Sequence, residues 1–228
     1  MKYKGSNMLK YKLTNNKNAQ GFYQIQALRD IPKFYVKAGD RGGFIEQESN
    51  LSHNGDAWVF DNAVVYGDAR VYGDAKVFDN AVVYGDARVY GDAKVFDNAV
   101  VYGEAWVYGD AKVFDNAVVY GDARVCGNAG IYGEAWVYDN AVVYGDARVY
   151  GDAKVCGDAV IDSSSDIIYI QMKPYNITFT PQNIIIGCQN KTYKEWMKVK
   201  HKDTELDLKT FNKYKKILQF FNLEGKTK

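Results

Sequence analysis

GDAWVFDNAVVYGDARVYGDAKVFDNAVVY, residues 55–84, decides the fold. An alanine stands at every sixth position, from Ala57, Ala63 and Ala69 without a miss to Ala159. A valine or isoleucine follows two places later each time, from Val59 to Ile161, which makes eighteen consecutive hexads. Self-similarity at a short fixed period marks a solenoid. Residues two apart on an extended chain share a face. The Ala–Val pair therefore turns inward, and its neighbours, such as Arg70 and Tyr72, turn outward. The other two positions are Gly-Asp, Asp-Asn, Gly-Glu or Gly-Asn, all turn formers. Each hexad is a short strand plus a corner. Such a strand cannot bury itself, but stacked coils can.

A longer period sets the coil. Asp-Asn corners recur at Asp61, Asp79, Asp97 and Asp115, eighteen residues apart. Three hexads per coil make a triangular prism of about six coils, a rod about 30 Å long at about 4.8 Å per rung. The next Asp-Asn corner, Asp139, comes twenty-four residues on, so the pattern slips by one side.

The hexad Val65-Tyr66-Gly67-Asp68-Ala69-Arg70 resembles the hexapeptide-repeat family, whose fold is a left-handed parallel β-helix. The handedness is implied by that resemblance alone, since parallel crossovers in general favour the right hand. The expected fold class is mainly β: a triangular left-handed parallel β-helix over residues 55–162, an N-terminal β cap over 1–54, and a small α+β domain over 163–228.

The formal charge of +1 hides a division. Residues 55–162 hold eighteen acids and eight bases, whereas 1–54 hold nine bases and four acids, and 163–228 hold twelve bases and six acids. An acidic rod with basic ends is a hint about partners, although Asp is also a favoured corner residue. There is no apolar run of membrane-spanning length and the start lacks a leader pattern, so the expectation is a cytoplasmic protein without membrane attachment. Cys126 and Cys156 stand in outward positions usually held by Tyr, and with Cys188 they show no paired spacing, as expected of a reducing compartment.

In the amino-terminal segment, Met8–Leu13 and Phe22–Leu28 read as a hairpin. Leu51 and His53 fall in register with Ala57 and Val59, so the first coil should begin before the perfect repeats. An open solenoid end needs a cap. Lys10-Tyr11-Lys12-Leu13, Val36-Lys37-Ala38-Gly39 and Gly42-Gly43-Phe44-Ile45, followed by Leu51-Ser52 and Gly55–Val59, resemble the leader of enterobacterial and phage or prophage hexapeptide-repeat proteins. Members of that group often carry an acyltransferase label from the repeat alone. Ile184–Gln189 with Thr192, Glu195 and Trp196 resembles a tail found on other phage and prophage proteins.

After Ile161 the period stops at Asp162–Asp166, a linker. Ile167–Met172, Asn176–Thr180 and Asn183–Ile186 read as strands, interrupted by Pro174 and Pro181. Thr192 and Glu195 form a capping box for a helix through Lys200. Leu208–Asn222 is a second helix with an apolar stripe of Leu208, Phe211, Tyr214, Leu218 and Phe221. Its other side carries Lys209, Lys213, Lys215 and Lys216, a candidate basic surface.

Three hexads per coil arrange the outward residues in columns. One side carries Val64, Val82, Val100, Val118 and Trp136, flanked by Tyr66, Tyr84, Tyr102, Tyr120 and Tyr138. This apolar patch is a candidate contact site for a protein partner or a second copy, with packing by the chain's own tail as the alternative. The other sides carry Arg70, Arg88, Trp106 and Arg124, and Trp58, Lys76, Lys94 and Lys112, again beside aromatics. Cations with aromatics can hold nucleic acid, but the corner acids outnumber them, so direct nucleic-acid binding by the rod is not expected. Stacking of the aromatic columns also stabilises neighbouring strands by itself.

The family's acyltransferases, as the resemblance implies, use a histidine base near a coil boundary and a loop thrown out from the prism. Here His53 reads as an inward cap residue and His201 lies in a polar stretch, and no histidine or insertion interrupts the hexads. No Cys-His cluster suits zinc, and no cofactor motif is present. The sequence-based expectation is a non-catalytic binding rod, set by resemblance in a phage or prophage, that engages a protein and blocks a host defence or nucleic-acid-handling function. A hexapeptide-repeat acyltransferase and a passive oligomerisation scaffold are the alternatives.

Overall fold

The computed structural model describes residues 9–163, 168–170, 173–180, 183–187 and 189–223. Met8, most of the linker, Ile167, Met172, Pro181 and Cys188 lie outside them, as does the side chain of Phe221.

The hexads form a parallel three-walled solenoid of about seven turns. On the first wall, two-residue strands from Val64–Val65 to Lys154–Val155 stack in register, Val64 beside Val82, Val82 beside Val100, Val100 beside Val118. The second wall runs from Arg70–Val71 to Val160–Ile161 and the third from Trp58–Val59 to Arg148–Val149, six strands each. Every hexad alanine and its branched partner, from Ala57 to Ile161, is buried. Alanine alternating with valine suits a narrow triangular interior, where small and branched side chains can pack closely.

The corners explain the two hexad types. Gly67, Gly73 and their equivalents have positive φ, and where the corner reads Asp-Asn the aspartate takes that conformation, at φ 50–58° for Asp61, Asp79, Asp97, Asp115 and Asp139. Aspartate tolerates this region better than most residues. The slip of the Asp-Asn pattern at Asp139 does not shift the coil. Trp136–Val137 still pairs with Val118–Val119 on the first wall, and the two corner types simply change places.

The first coil corrects the expected register. Three strands precede the perfect repeats: β1 (Tyr11–Lys17), β2 (Tyr23–Ala27) and β3 (Arg41–Ile45). β1 and β2 form the hairpin, and β1 runs further into the polar stretch than its sequence indicated, turning at Asn18–Gly21. β2 pairs antiparallel with β3, and β3 pairs parallel with Val64–Val65, so Ile45 stands at the valine position of the first wall. Leu51 bridges to Val71 and so fills a valine position, not the alanine position expected. His53 and Asn54 are two additional residues between Ser52 and the Gly55 corner. His53 leaves the wall and stacks on Tyr11, with ring centroids 4.3 Å apart. Gly42 and Gly43 must be glycines because a Cβ there would meet the Val59 carbonyl oxygen at 2.5 Å and those of Ala63 and Phe60 at 2.7 Å.

The cap satisfies each open edge differently. The first wall's Ala63 carbonyl accepts the Phe44 backbone N–H at 2.9 Å. The second wall's Ala69 carbonyl accepts the buried Asn50 side-chain amide at 2.9 Å, and that amide also reaches the Gly67 carbonyl. Asn50's own N–H is spent on Gln47 in a short 3-10 turn, Glu48–Asn50, so its side chain does the work of a strand amide. The third wall's Ala57 carbonyl accepts the ammonium of Lys10 at 2.6 Å. Glu46 accepts the Gly67 N–H at 2.7 Å. Buried backbone groups left unpaired would each cost about 1–3 kcal/mol. Trp58, expected to point outward, is fully buried beneath the cap with Tyr11 against its edge.

The carboxy-terminal unit is a four-stranded antiparallel sheet and two helices. Ile168–Ile170, Ile177–Phe179 and Ile184–Ile186 occupy the expected places, and Gln189–Lys191 adds an edge strand that was not foreseen. Helix α1 (Tyr193–Lys198) ends two residues before the expected limit. It carries the reciprocal Thr192–Glu195 capping box. Helix α2 (Leu208–Leu223) buries Tyr214 and Leu218 against Trp196 and the sheet, whereas Leu208, placed in the stripe, is exposed at its start.

Candidate functional site

The three walls differ in chemistry because their corners and outward positions differ together. On the first wall, corner residues Asn62, Asn80, Asn98 and Asn116 form an amide ladder, each Nδ2 donating to the next Oδ1 at 3.3 Å. Beside it run Val64, Val82, Val100 and Val118, all half-buried by their neighbours one rung away. Then comes a continuous ring stack, Phe22, Tyr66, Tyr84, Tyr102, Tyr120 and Tyr138, with centroids 4.9–5.1 Å apart. Four successive rungs thus present Asn, Val and Tyr with no charge. The corner aspartates behind the ladder turn back on the coil: Asp79 accepts the Asp97 N–H and Asp97 the Asp115 N–H, each at 3.3 Å.

The stack ends against the carboxy-terminal unit. Tyr138 bonds to the Cys156 thiol, and burial with this bond pushes the phenol well above the usual tyrosine range. Cys156 holds the Tyr position of the last rung but is buried, contrary to the outward placement expected. Asn190 donates to its carbonyl at 2.9 Å, and Thr178 accepts the Lys154 N–H at 3.2 Å. The tail therefore seats on the wall's last rung. Both of these tail bonds fall on the last rung, at Lys154 and Cys156, and Trp136 stands 40% exposed at the lower end of the four uncharged rungs.

The other walls bring the expected cations into ladders. On the second, Trp106 lies between Arg88 and Arg124, whose guanidinium carbons sit 4.9 and 5.3 Å from its ring. Arg70 stands one rung above Arg88. On the third, Lys76, Lys94 and Lys112 pair rung to rung, with Gly130 and then Arg148 continuing the column. Burial, then the charges of Lys94 and Lys33, hold Lys76 below the usual lysine range. These residues line a groove of about 610 Å³ whose far bank is Asp74, Asp92, Asp110, Asn128 and Asp146. Where the acid becomes Asn128, the cation becomes Gly130, so one rung loses both charges together. Cap residue Lys33 enters the top of the groove and bridges Asp74, at 2.7 Å, and Asp92.

The helical basic surface is smaller than expected. Lys209, Lys213 and Lys216 are exposed, but Lys215 bends back to donate to the Trp196 carbonyl.

Neither histidine stands among the hexads. His53 accepts the Lys10 backbone N–H on Nδ1 at 3.2 Å, which places its proton on Nε2, and burial lowers its pKa. His201 bonds to the Leu206 carbonyl at 2.7 Å. Among the described residues no three His, Cys, Asp or Glu side chains come together to hold a metal ion, and no helix is long and apolar enough to cross a membrane.

Three windows, residues 69–85, 87–103 and 135–151, match the family model described as the YdcK beta solenoid repeat. Each spans one coil less a residue. The chain is a β-solenoid repeat protein. The match covers 51 of its 228 residues, all inside the solenoid, and leaves both ends unmatched. No curated protein matches the chain.

Sequence reasoning missed the asparagine ladder and the edge-capping side chains of the solenoid. The ladder was visible as the invariable pairing of Asp-Asn corners with an outward Val on that wall. The caps had a weaker signal, the break in the hexad at His53-Asn54.

Proposed function

We propose that the solenoid is a non-catalytic binding rod whose first wall docks a protein partner. The uncharged Asn–Val–Tyr field over four identical rungs carries this reading. Interface centres are depleted in charge and enriched in Tyr and Trp, and here a single wall has that composition while the two beside it are charged. The exposed corner acids, among them Asp68, Asp86 and Asp122, border the field. They fit a partner with an apolar centre and a basic rim, and they would steer its approach. A host-directed inhibitory role against a nucleic-acid-handling or defence protein is the narrower form of the proposal. Affinity capture with the wild type and with the Val82→Lys, Val100→Lys double variant tests it. The expected result is a basic partner retained by the wild type and lost from the variant, with an Arg124→Ala control unaffected. Retention by all three proteins would overturn it.

A second copy of the chain is the second reading. The four rungs repeat identically, so two walls set antiparallel would mesh at a common spacing of about 4.8 Å. Sedimentation over a concentration series separates the two: self-association abolished by the same double variant favours the copy.

A further inference from the structure

A cleft of about 810 Å³ lies where the cap meets the top of the second wall. It exists because Asn50, which would stand above Arg70 in a regular coil, turns its side chain into the edge of the wall. The two additional residues His53 and Asn54 then carry the chain away. Arg70 and Arg88 line the cleft together with Ser49, Ser52, His53 and Asn54.

Two features of this cleft point to a ligand. First, Arg70 and Arg88 are register partners on adjacent rungs, about 4.8 Å apart. Among the described residues neither guanidinium has a carboxylate within ion-pair distance. The Arg88 guanidinium carbon lies 4.9 Å from the Trp106 ring centre, a cation–π contact that uses none of its N–H donors. Paired guanidinium forks match the oxygens of a phosphate. Second, the aromatic ladders end differently at the cap. The first is closed by Phe22 stacked on Tyr66, and the third by the edge of Phe34 against Phe60. The second, Tyr72–Tyr90–Tyr108, has Ser52 in the position above Tyr72, and among the described residues no ring lies on Tyr72 from the cap side. Tyr72 also lines the cleft. It offers an open ring face beside an unpaired arginine couple.

We propose that this cleft binds a mononucleotide-class ligand, a planar ring carrying a phosphate. The ring continues the Tyr72 ladder as its missing first member, as Phe22 does on the first wall. The phosphate sits across Arg70 and Arg88. Glu48, the carboxylate of the lining, opposes the phosphate and suits sugar hydroxyls, which donate to it. The cleft has the volume of ordinary small-ligand pockets. This site is separate from the docking wall and does not depend on it.

Titration calorimetry and ligand-observed NMR with AMP, UMP and inorganic pyrophosphate test the proposal on the full chain. Both nucleotides should bind, and each of Arg70→Ala and Arg88→Ala should weaken them about tenfold or more. Tyr72→Ser should weaken the nucleotides and leave pyrophosphate unchanged. Arg124→Ala, on the same wall beyond Trp106, should change nothing. Thermal melts of every variant confirm folding, and Arg70→Gln replaces Arg70→Ala if the latter does not fold. Absence of nucleotide binding at about 1 mM ligand, or binding indifferent to both arginines, would overturn the proposal. Binding of pyrophosphate alone, or nucleotide binding indifferent to Tyr72→Ser, would overturn the assignment of the ring.

Discussion

The ammonium of Lys10 donates to the carbonyl oxygen of Ala57, 2.6 Å away, and closes the exposed edge of the third wall. Lys10 is fully buried. Burial, and after it the charge of Arg29, lower its pKa from 10.5 to about 8, against the opposite pull of Asp56 and Asp74. Unfolded, the same lysine titrates at its ordinary value. Between these two points the unfolded chain binds the additional proton, so stability rises with pH from about 8 to about 10.5 and is flat with respect to this group below. Denaturant unfolding of the wild type and of Lys10→Met at pH 7.5 and pH 9.5 (roughly the two sides of the folded pKa) measures the effect. The wild type should gain stability relative to the variant at the higher pH. A constant difference would show that Lys10 keeps its proton.

Asn50 stands where a strand amide should be. Asn50→Leu retains the volume but orphans the Ala69 carbonyl, while the Gly67 carbonyl keeps its bond from Gln47 at 2.9 Å. The expected cost is about 1–3 kcal/mol, read as a lower denaturant midpoint with an unchanged slope.

Two glycines separate steric need from tolerance. Gly43→Ala places a methyl group 2.7 Å from two backbone oxygens and should destabilise the chain by about 1–3 kcal/mol. Gly130 interrupts the lysine column in open space, with the Tyr132 ring 3.8 Å from an added Cβ and no positive φ. Gly130→Ala should be neutral or stabilise by up to about 1 kcal/mol. Thermal melts of the two variants should move in different directions or differ clearly in size.

The ring stacks make a separate prediction at alkaline pH. Burial raises the pKa of Tyr66, Tyr72, Tyr90, Tyr102 and Tyr120, and the neighbouring phenols of the ladder raise most of them further. Tyr108 is pushed up to about 12, first by its hydrogen bond with the Cys126 thiol and then by burial. Folded values above the unfolded value of 10 mean that stability is intact below pH 10 and is lost as pH rises beyond it. Absorbance titration should show these six tyrosines ionising late and together with unfolding. Gradual ionisation of a chain that stays folded would contradict the stacking.

Period-six alternation made the solenoid legible, because each inward alanine and valine answers to one repeated geometry. The wall columns followed from counting by eighteen, and Val82 beside Val100 or Lys76 beside Lys94 needed nothing else. The cap was less legible. Asn50, Lys10 and Glu46 act on single backbone groups of another segment, and such long-range bonds leave no period in the chain. Leu51 stands two residues away from the place a continuous hexad would give it, because the chain leaves the wall at His53-Asn54. Trp58 and Cys156 hold outward positions, yet the cap covers one and the tail module the other. At the candidate wall, sequence supplied Val and Tyr, while the neutrality of the field emerged once Asn62, Asn80, Asn98 and Asn116 were seen to line the same face.

Oxidative footprinting of the captured complex tests the docking wall most directly. The rod should show protection at Tyr84, Tyr102 and Tyr120 on the first wall, with Tyr90 on the second and Phe96 on the third reacting as in the free chain. Protection centred on the second or third wall, or no difference between free and bound rod, would contradict the account.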